Sequence, residues 1–145
     1  MAEVEVIKGS NIAVGKPAYQ SSTYADAVAG RACDGNNNGT WSGGSINHTN
    51  YDAQAWWYVD LQSEQNISRI IIKNRTDTAY MSRLNDFWVY IKDENGQTVW
   101  TNHQTTYPNP TVTLDTSGVN GRYVKVQLSG TNYLHMADVA VIRGN

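Results

Sequence analysis

The chain has 145 residues, enough for one domain of ordinary size, and we expect residues 1–145 to form a single domain. Hydrophobic residues make up 40% of the chain and charged residues 17%, which excludes an intrinsically disordered protein and allows a real core. Eleven Lys and Arg against thirteen Asp and Glu leave no excess of positive charge, so we expect no nucleic-acid partner. The single cysteine excludes a disulfide framework and a four-cysteine zinc site.

The first ten residues, MAEVEVIKGS, contain neither a basic flank nor an apolar run, so we expect no signal peptide in this chain. No stretch approaches the roughly 18 consecutive apolar residues that a membrane-spanning helix needs. Two alternatives follow from this: a cytoplasmic protein, or a module of a longer exported protein.

Secondary-structure signals begin with one weak helical segment, residues 24–33, in which Gly30 lowers the helical propensity. Val and Ile (22 together) far outnumber Leu (5), which favours β-structure. The apolar runs predict strands at residues 56–61, 67–73, 87–92, 98–101, 111–114, 122–128 and 138–143. Turn formers predict a hairpin at residues 93–96 (DENG) and another connection at residues 117–121 (SGVNG). The pattern indicates an all-β fold, an antiparallel sandwich or barrel.

Residues 35–54 predict one long polar loop, and loops of this length are uncommon in compact domains unless they are functional or disordered. Asp34, Asn36 and Asn38 match the first ligand positions of an EF-hand calcium loop. The twelfth position is Ser45 where a bidentate Glu is needed, so a helix-loop-helix calcium sensor is not expected. A different oxygen cage and a plain Asn/Gly-rich turn both stay open.

Sequence motifs for catalysis are missing, since the chain has no GxSxG, HExxH or GxGxxG. We interpret Cys33 as a small buried apolar residue, because no local pattern pairs it with a histidine base. A glycosidase would need two carboxylates facing one bond, and Asp34, Asp77 and Asp138 all have competing structural roles. We therefore expect no enzyme.

His48, Arg75 and Arg83 supply many hydrogen-bond donors and few acceptors. Two guanidinium groups and an imidazole suit a neutral ligand rich in hydroxyl and ring oxygens, and sugars fit that description. Asp77 follows Arg75 by two residues, so both side chains would lie on one face of an extended segment and Asp77 could orient the guanidinium. The segment alone also fits a plain surface ion pair.

Several of these segments together resemble the F-type lectins, the fucose-binding branch of the discoidin-like (coagulation-factor type C) superfamily. The resemblance rests on DGNNNGTWSGGSINHT, WWYVDL, NRTD and RLNDFWVYI and extends from residue 11 to residue 139. The family pattern is a His, some two dozen residues, Arg-x-Asp, four residues and then Arg or Lys. In this chain 26 residues separate His48 from Arg75. The resemblance implies a jelly-roll-like β-sandwich of eight main strands in which His48, Arg75 and Arg83 donate hydrogen bonds to L-fucose.

The same resemblance implies a structural calcium ion. Carried over by position, its ligands would be carbonyls of Arg31, Asn36, Ser45 and Ala137, the Ser45 hydroxyl, and the carboxylates of Asp34 and Asp138. Such a cage would hold the segment that carries His48, so metal binding would pre-organise the sugar site without touching the sugar.

Two departures from the family pattern affect the expected site. Five residues, 78–82, separate Asp77 from Arg83 where the family has four, and an adjacent cysteine pair that packs against the sugar in many members is absent. Tyr80 could replace that pair as an apolar platform, or the extra residue could move Arg83 away and alter specificity. Tyr24 and the 36–41 loop could reach further residues of an oligosaccharide. The five tryptophans are expected in the core: Trp41, Trp56, Trp57, Trp88 and Trp100.

The resulting prediction is a calcium-stabilised, non-catalytic module that binds fucosylated oligosaccharides and targets a larger secreted protein to them. The alternative is a discoidin-like domain that binds another sugar, a phospholipid or a protein. We do not expect membrane lipid as the partner, because the loops are polar and nearly neutral rather than tipped by apolar and basic residues.

Overall fold

Residues 10–144 are described by a computed structural model and contain ten strands and three 3₁₀ helices. The prediction that the first ten residues are not a signal peptide concerns a segment that, apart from Ser10, lies outside the described residues. The strands are β1 (Ala18–Gln20), β2 (Asn47–His48), β3 (Asp52–Ala53), β4 (Trp56–Lys73), β5 (Phe87–Lys92), β6 (Thr98–Gln104), β7 (Thr111–Leu128), β8 (Thr131–Asn132), β9 (His135–Met136) and β10 (Asp138–Arg143). The 3₁₀ helices are η1 (Ala29–Cys33), η2 (Trp41–Gly43) and η3 (Thr78–Arg83).

Two strands of 18 residues, β4 and β7, build both layers of an antiparallel sandwich. The first half of β4 and the second half of β7 lie in a five-stranded layer of order β1-β4-β7-β5-β6. The second half of β4 and the first half of β7 lie with β10 in a three-stranded layer. The pairing shifts register between Asp60 and Gln65, where the strands pass from one layer to the other. The predicted all-β sandwich is confirmed.

Two predicted breaks between strands do not exist. The runs at 56–61 and 67–73 belong to one strand, and so do 111–114 and 122–128. The SGVNG segment was expected to be a connection, and this is wrong. Ser117 and Gly118 have positive φ (61° and 86°), yet the chain continues to pair, with Asn120 opposite Asn66 of β4. Turn-forming residues here make an irregularity inside a strand rather than its end. The DENG hairpin is confirmed, with Gly96 at φ 80°.

The core lies between the two layers; its residues alternate with outward-facing ones in β5, whereas β10 buries four residues in a row, Val139 to Ile142. In β5, Phe87, Val89 and Ile91 are buried and the residues between them are half-buried. The expectation that all five tryptophans lie in the core is wrong, since Trp57 is the fully buried one. Trp56 is adjacent to Trp57 in the strand, so its side chain necessarily points to the opposite face. Trp88 is half-buried on that outer face, Trp100 packs at the core edge, and Trp41 lies in the 35–54 segment.

The 35–54 segment is held by short pieces of regular structure rather than being one open loop. Strand β2 pairs with β9, and β3 pairs with β8. The predicted helix at 24–33 is reduced to η1. The Thr76 amide donates a 2.7 Å hydrogen bond to the Gly39 carbonyl, and a Cβ on Gly39 would lie 2.5 Å from Thr76 Cγ2. Glycine at position 39 thus lets the loop dock closely on the segment that carries Arg75.

Within residues 10–144, no helix has the length and apolar character that crossing a bilayer requires.

Candidate functional site

An open cavity of about 290 Å³ collects side chains from four separate parts of the chain. Its lining consists of aromatic rings, one imidazole and two guanidinium groups: Tyr24, Trp41, His48, Arg75, Tyr80, Arg83 and Tyr133. Five of the six residues predicted to contact ligand therefore line one cavity. The sixth, Asp77, lies behind the wall and is bonded to Arg75.

His48 lies on β2, almost fully buried, and its orientation is set by a backbone hydrogen bond. Its Nδ1 lies 2.7 Å from the Thr49 carbonyl oxygen, and because a carbonyl can only accept, Nδ1 carries the proton. Burial, with Arg75 and Arg83 nearby, lowers the His48 pKa below its usual value although the Thr49 bond opposes this. His48 is thus neutral near pH 7, and its Nε2 is an acceptor. This role differs from the donor role that the resemblance implies.

Arg75 is buried and is oriented by Asp77, as predicted. Arg75 Nε donates a 2.7 Å hydrogen bond to Asp77 Oδ2, which also accepts from the Trp41 backbone N–H at 2.9 Å. Burial by itself would raise the pKa of Asp77, but these bonds outweigh it and hold the pKa below its usual value. The Arg75 guanidinium also lies 5.3 Å from the Trp41 ring centroid. One carboxylate therefore ties the loop of Trp41 to the arginine.

The extra residue before Arg83 is absorbed by η3, and Arg83 still reaches the cavity. Its guanidinium carbon lies 4.4 Å from the Tyr80 ring centroid and 4.6 Å from that of Tyr133. The guanidinium carbon of Arg75 lies 4.5 Å from the same Tyr80 centroid. Tyr80 is thus shared by both arginines, and its aromatic ring positions them by cation–π contact.

A second imidazole, His135, packs against His48. It pairs with His48 across β2 and β9, with ring centroids 5.2 Å apart, and it is completely buried. Burial first, and then His48, Arg75 and Arg83, lower the pKa of His135 to about 3, so it is uncharged at neutral pH. Neither of its ring nitrogens has a hydrogen-bond partner among the described residues. The charges that act on His48 are therefore those of Arg75 and Arg83.

Two cavity residues escaped the sequence analysis. The 36–41 loop was expected to reach an oligosaccharide, but the Trp41 side chain was assigned to the core, although its position in a polar Asn- and Gly-rich segment, outside any alternating run, was a usable signal. Tyr133 lies between β8 and β9 and reaches the cavity because β9 pairs with β2. No sequence signal predicts that long-range pairing.

The residues predicted to bind calcium fall into two groups on neighbouring segments. The Ser45 hydroxyl donates to the Asn36 carbonyl at 2.5 Å, and the Asn36 amide donates to Asp34 Oδ1 at 2.9 Å. Burial and then the charge of Asp34 raise the pKa of Asp138 to about 6, although Lys73 opposes this. Arg31 lies in η1, which ends just before Asp34, and Ala137 precedes Asp138.

The donor set of this second region consists of two carboxylates, a hydroxyl and backbone carbonyls, all hard oxygen ligands of the kind calcium takes. Within residues 10–144, no three His, Cys, Asp or Glu side chains gather as a metal site, so a cation here would depend on those carbonyls. The charge of Asp34 acts on Asp138, so a cation near both carboxylates would be favoured. The residues present therefore fit the implied ion.

Comparison with known proteins assigns the family. The family model described as a NedA-like, galactose-binding domain of the F5/F8 type C group matches residues 31–126. Fucolectin-6 of Anguilla japonica is 34% identical over 149 aligned residues, which cover 90% of this chain and 74% of that protein. The chain belongs to the F-type lectins. Lectins and carbohydrate-binding modules of these families are not catalytic, and this F-type lectin domain is not an enzyme.

Two solved structures that resemble this F-type lectin domain are a fucose binding module and a lectin domain. A Streptococcus pneumoniae fucose binding module, SpX-3, has 35% sequence identity and a TM-score of 0.90, covering 94% of this chain and 99% of that one. The lectin domain of lectinolysin, solved in complex with Lewis B antigen, has 36% identity and a TM-score of 0.91, covering 94% of this chain and 98% of the other. The discoidin-like fold is confirmed.

Proposed function

We propose that this F-type lectin domain binds terminal L-fucose in the cavity lined by His48, Arg75 and Arg83. The observation that carries the proposal is the convergence of these three groups from β2, the β4–η3 connection and η3 on one open cavity. Similar proteins are named as fucolectins or solved as a fucose binding module, which supports the choice of sugar.

The hydrogen-bonding groups of the cavity complement a neutral polyol. The two guanidiniums can only donate, whereas neutral His48 offers an acceptor at Nε2. A sugar hydroxyl can donate to His48 and accept from an arginine at the same time, which an ionised carboxylate cannot do. Asp77 offsets the charge of Arg75, which further favours an uncharged ligand.

The aromatic walls suit a deoxy-sugar. Tyr24 and Tyr80 are about half exposed, at 45% and 40%, and Trp41 and Tyr133 complete the apolar part of the lining. Fucose carries a methyl group where other hexoses carry a hydroxymethyl group, and an aromatic wall accepts that methyl group without leaving a polar group unpaired. The methyl group thus adds binding energy here that a hydroxylated equivalent would not.

The expected affinity is modest. A hydrogen bond to a charged group contributes about 1.5 to 3 kcal/mol, so a few such bonds predict dissociation constants in the micromolar to millimolar range. Avidity from several sites, or attachment to a larger protein, would compensate for weak single contacts. The proposed role is therefore a targeting module of a larger secreted protein that directs it to fucosylated oligosaccharides.

The proposal includes a structural calcium ion held by the residues that the resemblance assigns. Oxygen atoms of Asp34, Asn36, Ser45 and Asp138 would hold it, with carbonyls of Arg31 and Ala137. Such an ion would supply positive charge to the carboxylates of Asp34 and Asp138 and would link the 35–54 segment to β10. His48 lies three residues after Ser45, so the ion would stabilise the sugar site without contacting the ligand.

The deciding experiment is calorimetric titration with L-fucose and with L-galactose, which differs from fucose only by a hydroxyl on the methyl group. We expect fucose to bind and L-galactose to bind several-fold more weakly, because its extra hydroxyl enters the aromatic part of the cavity. A glycan array would then identify the preferred oligosaccharide. Absence of fucose binding, or binding that survives in Arg75→Ala/Arg83→Ala, would overturn the proposal.

A further inference from the structure

The outer face of the five-stranded layer carries a second cavity of about 290 Å³, which shares no residue with the fucose cavity. Tyr58, Lys92, Gly96, Tyr123 and Lys125 line it. Four of these side chains come from adjacent strands β4, β7 and β5 and lie on the face opposite the core. Gly96, in the hairpin after β5, closes one side without a side chain that would fill the space.

The two tyrosines form the apolar walls. The rings of Tyr58 and Tyr123 are 6.0 Å apart at an angle of 75°, so they meet as a corner. Neither hydroxyl has a hydrogen-bond partner among the described residues. Burial and the neighbouring Tyr19, Tyr123 and Asp60 raise the pKa of Tyr58, so this hydroxyl stays protonated and can donate as well as accept. The corner therefore offers ring surface and free hydroxyl groups together.

The two lysines are cationic groups without carboxylate partners within residues 10–144. Lys125 lies 5.7 Å from the Trp56 ring centroid, and Lys92 lies 5.7 Å from that of Tyr90. Partial burial, and then the positive charge of Lys92, lower the pKa of Lys125. Two uncompensated ammonium groups therefore face one small cavity.

The carboxylates of Asp60 and Asp93 are held by other groups. Asp60 accepts two hydrogen bonds from Arg122, at 2.8 and 3.1 Å, and this bidentate pair satisfies its carboxylate. Asp93, next to Lys92, accepts from two backbone amides of its own turn, those of Asn95 and Gln97. The charge of the lysines thus remains available to a ligand.

We propose that this second cavity binds one acidic sugar unit of a saccharide, with the carboxylate or sulfate group of that sugar held between Lys92 and Lys125. The ring C–H groups would pack on Tyr58 and Tyr123, and ring hydroxyls would bond the tyrosine hydroxyls. Ring surface, free hydroxyls and paired cations within one cavity suit a sugar that carries a negative charge. A neutral sugar would leave both ammonium groups without an ionic partner.

The test compares three sugars with the same ring: D-glucuronate, D-glucose 6-sulfate and D-glucose. Each is titrated into ¹⁵N-labelled protein, and the chemical shifts of the backbone amides are followed. We expect shifts at residues 58, 92, 123 and 125 with dissociation constants on the order of 1 mM for at least one anionic sugar, and binding of glucose about tenfold weaker. The two anionic sugars show whether carboxylate or sulfate is preferred. Glucose binding as tightly as both would overturn the proposal.

The matched variants are Lys92→Gln/Lys125→Gln and, as control, Lys16→Gln, which removes a lysine outside the cavity lining. The double variant should lose the binding of anionic sugar at least about tenfold, and its residual binding should no longer weaken with added salt. Fucose binding and the unfolding temperature should be unchanged in both variants. Unaltered anion binding in a folded double variant, or no shifts at these residues with any sugar, would refute the site. Neither result bears on the fucose cavity.

Discussion

Asp77 Oδ2 accepts a 2.7 Å hydrogen bond from Nε of Arg75, which lies two positions earlier in the chain. The same carboxylate oxygen accepts from the Trp41 amide, 36 residues away in sequence. Asp77 is therefore a positioning residue that fixes an arginine and an aromatic wall of the cavity relative to each other.

Replacement of Asp77 by asparagine should weaken fucose binding about tenfold, because the ion pair with Arg75 is reduced to a weaker hydrogen bond to a neutral amide and the guanidinium loses its fixed orientation. Calorimetry measures the loss. Asp26→Asn is the matched control, since that exposed carboxylate lies 3.6 Å from Arg31 and does not line the cavity. Equal affinities of the two variants would show that Asp77 is not needed for positioning.

Fucose binding should depend on pH through His48. The pKa of His48 is lowered in the folded protein, so the ring is neutral above its usual pKa of about 6.5, and it stays neutral somewhat below. Protonation converts Nε2 from an acceptor into a donor and adds a charge beside two arginines. We expect constant affinity from about pH 8 to 6.5 and weaker binding as the pH falls further.

The other titratable groups near His48 do not change their charge in the tested pH range. His135 titrates well below the tested range, with a pKa of about 3, and the arginines stay charged throughout. A His103→Gln control removes a histidine that is bonded to Asp86 and lies outside the cavity lining. Affinity that instead rises on acidification would assign His48 the donor role implied by the resemblance.

Removal of calcium should lower the unfolding temperature by roughly 5 to 10 °C, because a cation that binds only the folded state stabilises it by mass action. Differential scanning calorimetry with and without a chelator measures the change. The Asp138→Asn variant should unfold at one temperature in both conditions, whereas Asp26→Asn should respond to the chelator as the parent does. A parent protein indifferent to the chelator would remove calcium from the proposal.

Gly39→Ala should reduce fucose affinity several-fold, because the added Cβ would lie 2.5 Å from Thr76 Cγ2 and push the loop of Trp41 away from Arg75. Gly30→Ala is the control, since a Cβ there meets no atom within 4 Å. Combining Gly39→Ala with Thr76→Ala should restore part of the affinity, although Thr76 Cβ remains 3.0 Å from the added carbon. Equal affinity of Gly39→Ala and Gly30→Ala in calorimetry would show that close docking of this loop is not required.

The strands could be predicted from sequence because their apolar residues recur in alternating runs, as in β5, or in compact runs, as in β10. The hairpin at 93–96 and β5 were correctly placed, and β6 is longer than predicted by three residues, ending at Gln104. The prediction failed where polar and glycine residues continue a strand, as at Ser117 and Gly118, because pairing with β4 overrides the local turn preference.

The family resemblance was readable from local sequence, and so were His48, Arg75 and Arg83 as cavity candidates, because the spacing of these residues can be counted along the chain. Trp41 and Tyr133 entered the cavity through folding, since they meet the other residues only when the Trp41 loop docks on Asp77 and β9 pairs with β2. The acceptor role of His48 likewise depends on a contact with the Thr49 carbonyl and on burial. Residue types and spacings are properties of the chain, whereas proton positions and cavity walls arise from long-range packing, which a linear pattern does not encode.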